Sequence, residues 1–296
     1  MKWTGSASRH ARQYMEHIMD YRTVLVALGA DPDCASRVRM AADLAASFGA
    51  HVTGVSATGL RLDPIRGAGD DVARHMAASR SRLLSQATLQ GEILSSTMAA
   101  HAPGVPFSHR VVEEETGWVL AQEARVADLA VMARPVATQE VASLGAGAAE
   151  YVLLNAGRPV LLVPQAFRRL HGGHVVIAWD GQREAARAVA DAMPLLLRAS
   201  HVTIIGVWDD RGEPRADSEP VAGLRHYLQR HGIVAGVRNV QKAGPVATSL
   251  LDAVGALGAD MLVAGGYGHS RMRELIMGGT TRTLMHRAPV PLLLSH

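Results

Sequence analysis

A chain that spells out one order of segments twice must fold as two like units or as one body built from both, and this sequence does so. A-H-V-T-G-V at Ala50–Val55 returns as S-H-V-T-I-I-G-V at Ser200–Val207. A-D-L-A-V-M-A at Ala127–Ala133 returns as A-D-M-L-V-A-G at Ala259–Gly265, and R-P-V-L-L-V at Arg158–Val163 as A-P-V-P-L-L-L at Ala288–Leu294. The separation is about 130 to 150 residues, which fits a duplicated domain and is far too long for a solenoid repeat.

Within the first copy, short apolar runs alternate with stretches of helical spacing. Thr23–Leu28, His51–Ala57, Val105–Val112, Asp128–Met132 and Pro159–Pro164 read as strands. Ala35–Phe48, Asp70–Met98, Thr116–Val126 and Gly147–Ala156 read as helices. Strands that are apolar throughout, separated by helices, specify a parallel sheet covered on both faces. The second copy restarts at His174–Trp179, followed by helix from Arg183 to Ala199. The expected organisation is an extension over residues 1–20, a first domain over 21–165, a polar, basic linker over 166–173 ending in two glycines, and a second domain over 174–296. The fold class is α/β: two tandem open parallel five-stranded sheets with helices on both faces.

In an open sheet of this kind a ligand lies beyond the C-terminal ends of the strands, where the strand order reverses. In the second copy those ends are Ala178, Trp179 and Asp180, then Val207, then a glycine-bounded loop, G-G-Y-G-H-S-R-M-R-E-L-I-M-G-G-T-T, from Gly265 to Thr281. Gly265 and Gly268 fall at the end of a strand, and Gly278 and Gly279 fall just before a helix. Glycine permits close backbone approach to a ligand, and the free N–H groups of a helix start attract an anion. The same glycines also serve as ordinary turn punctuation. Thr280 and Thr281 would offer hydroxyls and N–H groups to phosphates or simply cap the helix. Asp180 would accept hydrogen bonds from ribose or cap the helix near Arg183. His269, Arg271 and Arg273 bring positive charge into the loop, either toward phosphates or merely into solvent. No G-K-[ST] phosphate loop and no G-x-G-x-x-G fingerprint is present.

The spacing of Gly265, Gly268 and Gly278, together with the final A-P-V-P-L-L-L, resembles the nucleotide loop and last strand of the universal stress protein family, G-x-x-G-(nine residues)-G-[S/T]. The resemblance covers nearly everything after residue 20 and is strongest in the second copy. It implies an adenine-nucleotide alpha-hydrolase-like, Rossmann-like fold and ATP as ligand, with or without magnesium. It also implies Asp180 on the ribose side and the backbone of Val207 reading adenine. The family's Ser/Thr after the third glycine is Gly279 here, with Thr280 and Thr281 following. The first copy departs throughout. Asp180 aligns with Gly29, Gly265 with Ala133, Gly268 with Val136 and Gly278 with Ala148, with an intervening segment, Ala137–Gly147, two residues longer. That copy reads as a degenerate scaffold.

Composition closes off other classes. The chain is 48% hydrophobic and 19% charged, enough to fill two cores and too apolar for disorder. A net charge of +3 with dispersed arginines lacks the basic stripe of a nucleic-acid binder. No apolar run reaches about 18 residues, so no membrane span is expected. The N-terminal segment has no hydrophobic centre, so a cytoplasmic location is expected. The single cysteine, Cys34, excludes an internal disulfide and a multi-cysteine zinc site. At a helix start its thiol would be either acidified or ordinarily buried. No G-x-S-x-G, H-E-x-x-H or paired-acid arrangement marks an enzyme, and no metal site is expected. Three readings follow: an ATP-binding regulatory protein of the stress response acting through a protein partner, a nucleotide-free interaction protein, or a slow ATPase. Pairing of the two copies through Arg158–Val163 and Pro289–Leu294 would make an intramolecular pseudo-dimer, and a homodimer of chains would extend it.

Overall fold

The computed structural model describes residues 20–59, 70–135, 147–165, 173–208, 219–268 and 279–296. His269, Arg271, Arg273 and Gly278, the linker over 166–172 and residues 1–19 lie outside the described residues. The first copy runs β1 (Thr23–Leu28), α1 (Cys34–Phe48), β2 (His51–Ala57), α2 (Asp70–His101), β3 (Phe107–Val112), α3 (Thr116–Ala124), β4 (Leu129–Ala133), α4 (Ala148–Asn155) and β5 (Val160–Val163). The second runs β6 (His174–Ala178), α5 (Arg183–Leu196), β7 (His201–Trp208), α6 (Glu219–Arg230), β8 (Ala235–Gln241), α7 (Val246–Ala256), β9 (Met261–Gly265), α8 (Thr280–Arg287) and β10 (Leu292–Ser295).

The strands form one ten-stranded sheet in the order β3-β2-β1-β4-β5-β10-β9-β6-β7-β8. All neighbours are parallel except β5 and β10, which pair antiparallel with Leu293 opposite Leu161. Each copy is thus a five-stranded parallel sheet, and the last strands join the two. The alternation of side chains along each strand feeds two cores. Val24, Val26, Val175, Ile177, Val263 and Leu293 face one side of the sheet with α1 and α5. Leu25, Ala27, Val176, Leu262, Leu292 and Leu294 face the other side with α3, α4, α7 and α8. Both cores cross the junction between copies. The pattern of α5 shows why it sits where it does: Ala185, Ala188, Val189, Ala192, Met193 and Leu196 are buried at helical spacing.

The duplication extends to single hydrogen bonds. The carboxylate of Asp128, at the entry to β4, accepts the backbone N–H groups of Arg22 and Thr23 at 2.7 and 2.9 Å. Asp260, at the entry to β9, accepts that of His174 at 2.9 Å. The A-D pair of each repeat therefore ties its fourth strand to the start of its first. No helix among the described residues is long and apolar enough to cross a membrane.

Candidate functional site

In each copy the order reverses between the first and fourth strands, so a crevice opens beyond their C-terminal ends. In the second copy this crevice is a cavity of about 560 Å³. Ala178, Trp179 and Asp180 from the end of β6, Val207 of β7, Gly265 at the end of β9 and Gly268 beyond it, and Thr280 and Thr281 of α8 all line it. These are residues the sequence singled out, gathered from four separate stretches. Pairing of β7 with β6 stops at Ala178 and Ile205, while its pairing with β8 continues to Trp208 and Gln241. Gly206 and Val207 thus extend past β6 and form one wall. Val246 and Leu250 of α7 and Leu284 of α8 make the apolar part.

The polar end is built from helix starts. α5 and α8 contribute first-turn residues, and neither has a side-chain cap bond. Converging uncapped N-termini favour negative charge. Asp180 is not the cap of α5. That position is Gln182, whose N–H is accepted by Oδ1 of Asp180 at 2.9 Å, and Asp180 itself is exposed on the rim. Its Oδ2 has no partner among the described residues. Thr281 is buried, and its Oγ1 accepts the N–H of Tyr267 at 3.0 Å, leaving its proton to donate. Gly279 is the N-cap of α8 with φ of −49°. That angle is open to any residue, so Gly279 is not there for a left-handed backbone.

Gly265, which ends β9, and Gly268 beyond it differ in what they permit. A Cβ on Gly265 would lie 2.5 Å from the backbone nitrogen of Ala185, so this glycine lets α5 pack directly on β9. A Cβ on Gly268 would lie 2.8 Å from Oε2 of Glu184. Glu184 was not singled out in the sequence, yet it lines the cavity and is only 4% exposed. Burial pushes its carboxyl toward the neutral acid, but the adjacent Arg183, the backbone amide and the charge of His296 outweigh that and hold it below the usual carboxylate range. The signal for it was its place in the first turn of α5, directly after the strand end that carries Asp180. Among the described lining residues, Asp180 and Glu184 are the charged ones, and both are acids.

The first copy places a charged pair of its own at the end of β1. Arg37 of α1 is buried; its Nε donates to the carbonyl of Ala27 at 2.8 Å, and its two terminal nitrogens donate to Asp31 at 3.0 and 2.8 Å. A Cβ on Gly29, the counterpart of Asp180, would lie 2.5 Å from Oδ2 of Asp31. One part of the sequence alignment is corrected here. β4 ends at Ala133 and α4 begins at Ala148, the same interval that separates Gly265 from Thr280, so neither loop is longer. Gly279 therefore matches Gly147, and Gly278 matches Ala146. The anticipated alternative of an acidified Cys34 is also overturned: the thiol is buried, and burial raises its pKa. Among the described residues no cluster of three or more His, Cys, Asp or Glu side chains could hold a metal ion.

A doubly wound α/β fold duplicated in one chain, with a cavity at the second switch point, defines a Rossmann-like adenine-nucleotide alpha-hydrolase type of architecture. The model of the universal stress protein family matches residues 20–164 and again 173–296, and the chain belongs to that family. A universal stress protein from Archaeoglobus fulgidus DSM 4304 is 15% identical, with a TM-score of 0.66 over 92% of this chain and 97% of its own. A protein from Pseudomonas aeruginosa UCBPP-PA14 described as a universal stress protein is 14% identical, with a TM-score of 0.57 over 94% of each chain. A functionally unknown protein from Pseudomonas aeruginosa PAO1 is 13% identical, with a TM-score of 0.55 over 94% of this chain and 93% of its own. At these identities the likeness is one of fold. No curated protein matches.

Proposed function

We propose that this universal stress protein is an ATP-binding regulatory protein of the stress response, with the nucleotide held by the second copy. One observation carries the reading: the strand-end residues 178–180, Val207, Gly265, Gly268 and the start of α8 converge on a single cavity. Its parts suit an adenine nucleotide. The apolar wall of Val246, Leu250 and Val207 suits the base, the rim carboxylate of Asp180 suits ribose hydroxyls, and the uncapped start of α8 suits phosphate. When bound, the nucleotide would supply a conformational signal to a protein partner. A cytoplasmic location and an assembly of chains beyond the internal pseudo-dimer belong to the same proposal. A second reading, a nucleotide-free interaction protein, is favoured by Glu184, whose ionised carboxylate lies where a phosphate chain would pass Gly268.

The test is to denature the purified protein and identify what is released. ATP in near-stoichiometric amount supports the first reading. Protein purified without any nucleotide, which also takes up none on titration, supports the second.

A further inference from the structure

Tyr267 stands between Gly266 and Gly268 on the segment leaving β9. Among the described residues it is the non-glycine residue with φ in the left-handed region, at 57°. A residue with a Cβ adopts that conformation only where its neighbours hold it. Sδ of Met285 in α8 lies 3.9 Å from the Tyr267 hydroxyl, and two shorter hydrogen bonds hold the residue. The Tyr267 N–H donates to Oγ1 of Thr281 at 3.0 Å. Its hydroxyl donates to Oε1 of Glu150 at 2.7 Å, and Glu150 belongs to α4, in the other copy. The adjoining Gly266 is fitted to the same helix: a Cβ there would lie 2.9 Å from Cδ2 of Leu153. The equivalence of the copies puts Pro135 in place of Tyr267 and Arg282 in place of Glu150. Those residues cannot repeat the contact, so a near-symmetric junction uses it once and in one direction.

We propose that Glu150 and Tyr267 are positioning residues through which the first copy shapes the ligand loop of the second. Glu150 fixes the phenol, the phenol fixes the left-handed turn, and the turn sets Gly268 and the hydroxyl of Thr281 against the cavity. The copy that has lost its own site thereby remains necessary to the site of the other. As a statement about binding, this rests on the reading of the cavity as a nucleotide site; as a statement about the loop, it does not.

The test uses the full chain and two readouts: hydrogen exchange over residues 261–268 without ligand, and titration with ATP. Glu150→Ala and Tyr267→Phe should speed exchange at the Tyr267 amide by about tenfold and weaken ATP binding by at least about fivefold. Glu150→Gln, which keeps an acceptor oxygen, should stay near the wild type in both. Tyr267→Gly relieves the backbone but lacks the ring, and it too should weaken binding. Unchanged exchange and affinity in Glu150→Ala would overturn the proposal. So would a lower thermal midpoint with both unchanged, since the contact would then be only a strut between copies. Faster exchange in the variants of a chain that binds no adenine nucleotide would support the tie and overturn the nucleotide reading.

Discussion

Single residues decide what the cavity accepts, and Glu184 decides most. Its ionised carboxylate faces Gly268 with Arg183 as its counter-charge, and the Arg183 side chain is exposed. Like charges a few ångströms apart at an effective dielectric near 20 cost several kcal/mol, less what solvent and counter-ions screen. Glu184→Gln should therefore tighten ATP binding by roughly tenfold, with less effect on adenosine. Equal changes for both ligands in a calorimetric titration would place the carboxylate away from the phosphates. Gly279 poses the opposite case. With φ of −49° its backbone welcomes a side chain, so Gly279→Ser carries no conformational cost. A serine N-cap outdoes glycine by a few tenths of a kcal/mol, and a hydroxyl that reaches a phosphate oxygen adds about 1.5–3 kcal/mol before competition with water. Tighter ATP binding with unchanged or raised stability is expected; weaker binding would mean that phosphate does not approach residue 279 as the family loop implies.

At the scale of elements, the strands were legible because a buried parallel strand leaves a short apolar run with turn residues on either side. β1 and β2 match their expected bounds residue for residue. The repeat then located the second copy, but α6, β8 and α7 were not delimited. β8 is an edge strand, A-G-V-R-N-V-Q, with six of its seven residues only half-buried or exposed, and so carries little apolar signal. The helix start at Thr280 was legible from Gly278, Gly279 and the threonines, and the helix read from Gly147 starts one residue later, at Ala148; only the pairing of Ala148 with Gly278 was out of register. The role of Gly265 was legible only in part. Spacing marked it as a place of close approach, but what approaches is α5, not solely a ligand. Gly265→Ala should hence act through packing, forcing α5 off β9 and costing about 1–3 kcal/mol in denaturant unfolding. An alanine variant as stable as the parent, with ligand binding alone impaired, would contradict that account. Tyr267 and Glu150 left no signal of their own, because their importance lies in a contact between residues far apart in the chain, and Glu184 left only its place in the first turn of α5.

As a whole molecule, the chain is an asymmetric pair made by duplication. The junction is a strand pairing with Leu161 and Leu293 fully buried, reinforced on one side by Tyr21, whose hydroxyl donates to the carbonyl of Asp191 at 2.7 Å. On the other side, Tyr267 reaches Glu150. At the end of β1 one copy places the buried Arg37 with Asp31, and at the end of β6 the other has a cavity. The account therefore predicts one nucleotide site per chain, bounded by Gly268. Gly268 is exposed and lies outside the left-handed region, so Gly268→Val imports the first copy's residue without disturbing the fold, while crowding Glu184 and the phosphate path. The decisive measurement is calorimetric titration of ATP into the full chain and into Gly268→Val. A stoichiometry of one for the parent, with binding abolished in the folded variant, is the predicted result. Two equal sites per chain, or undiminished binding in the variant, would contradict it.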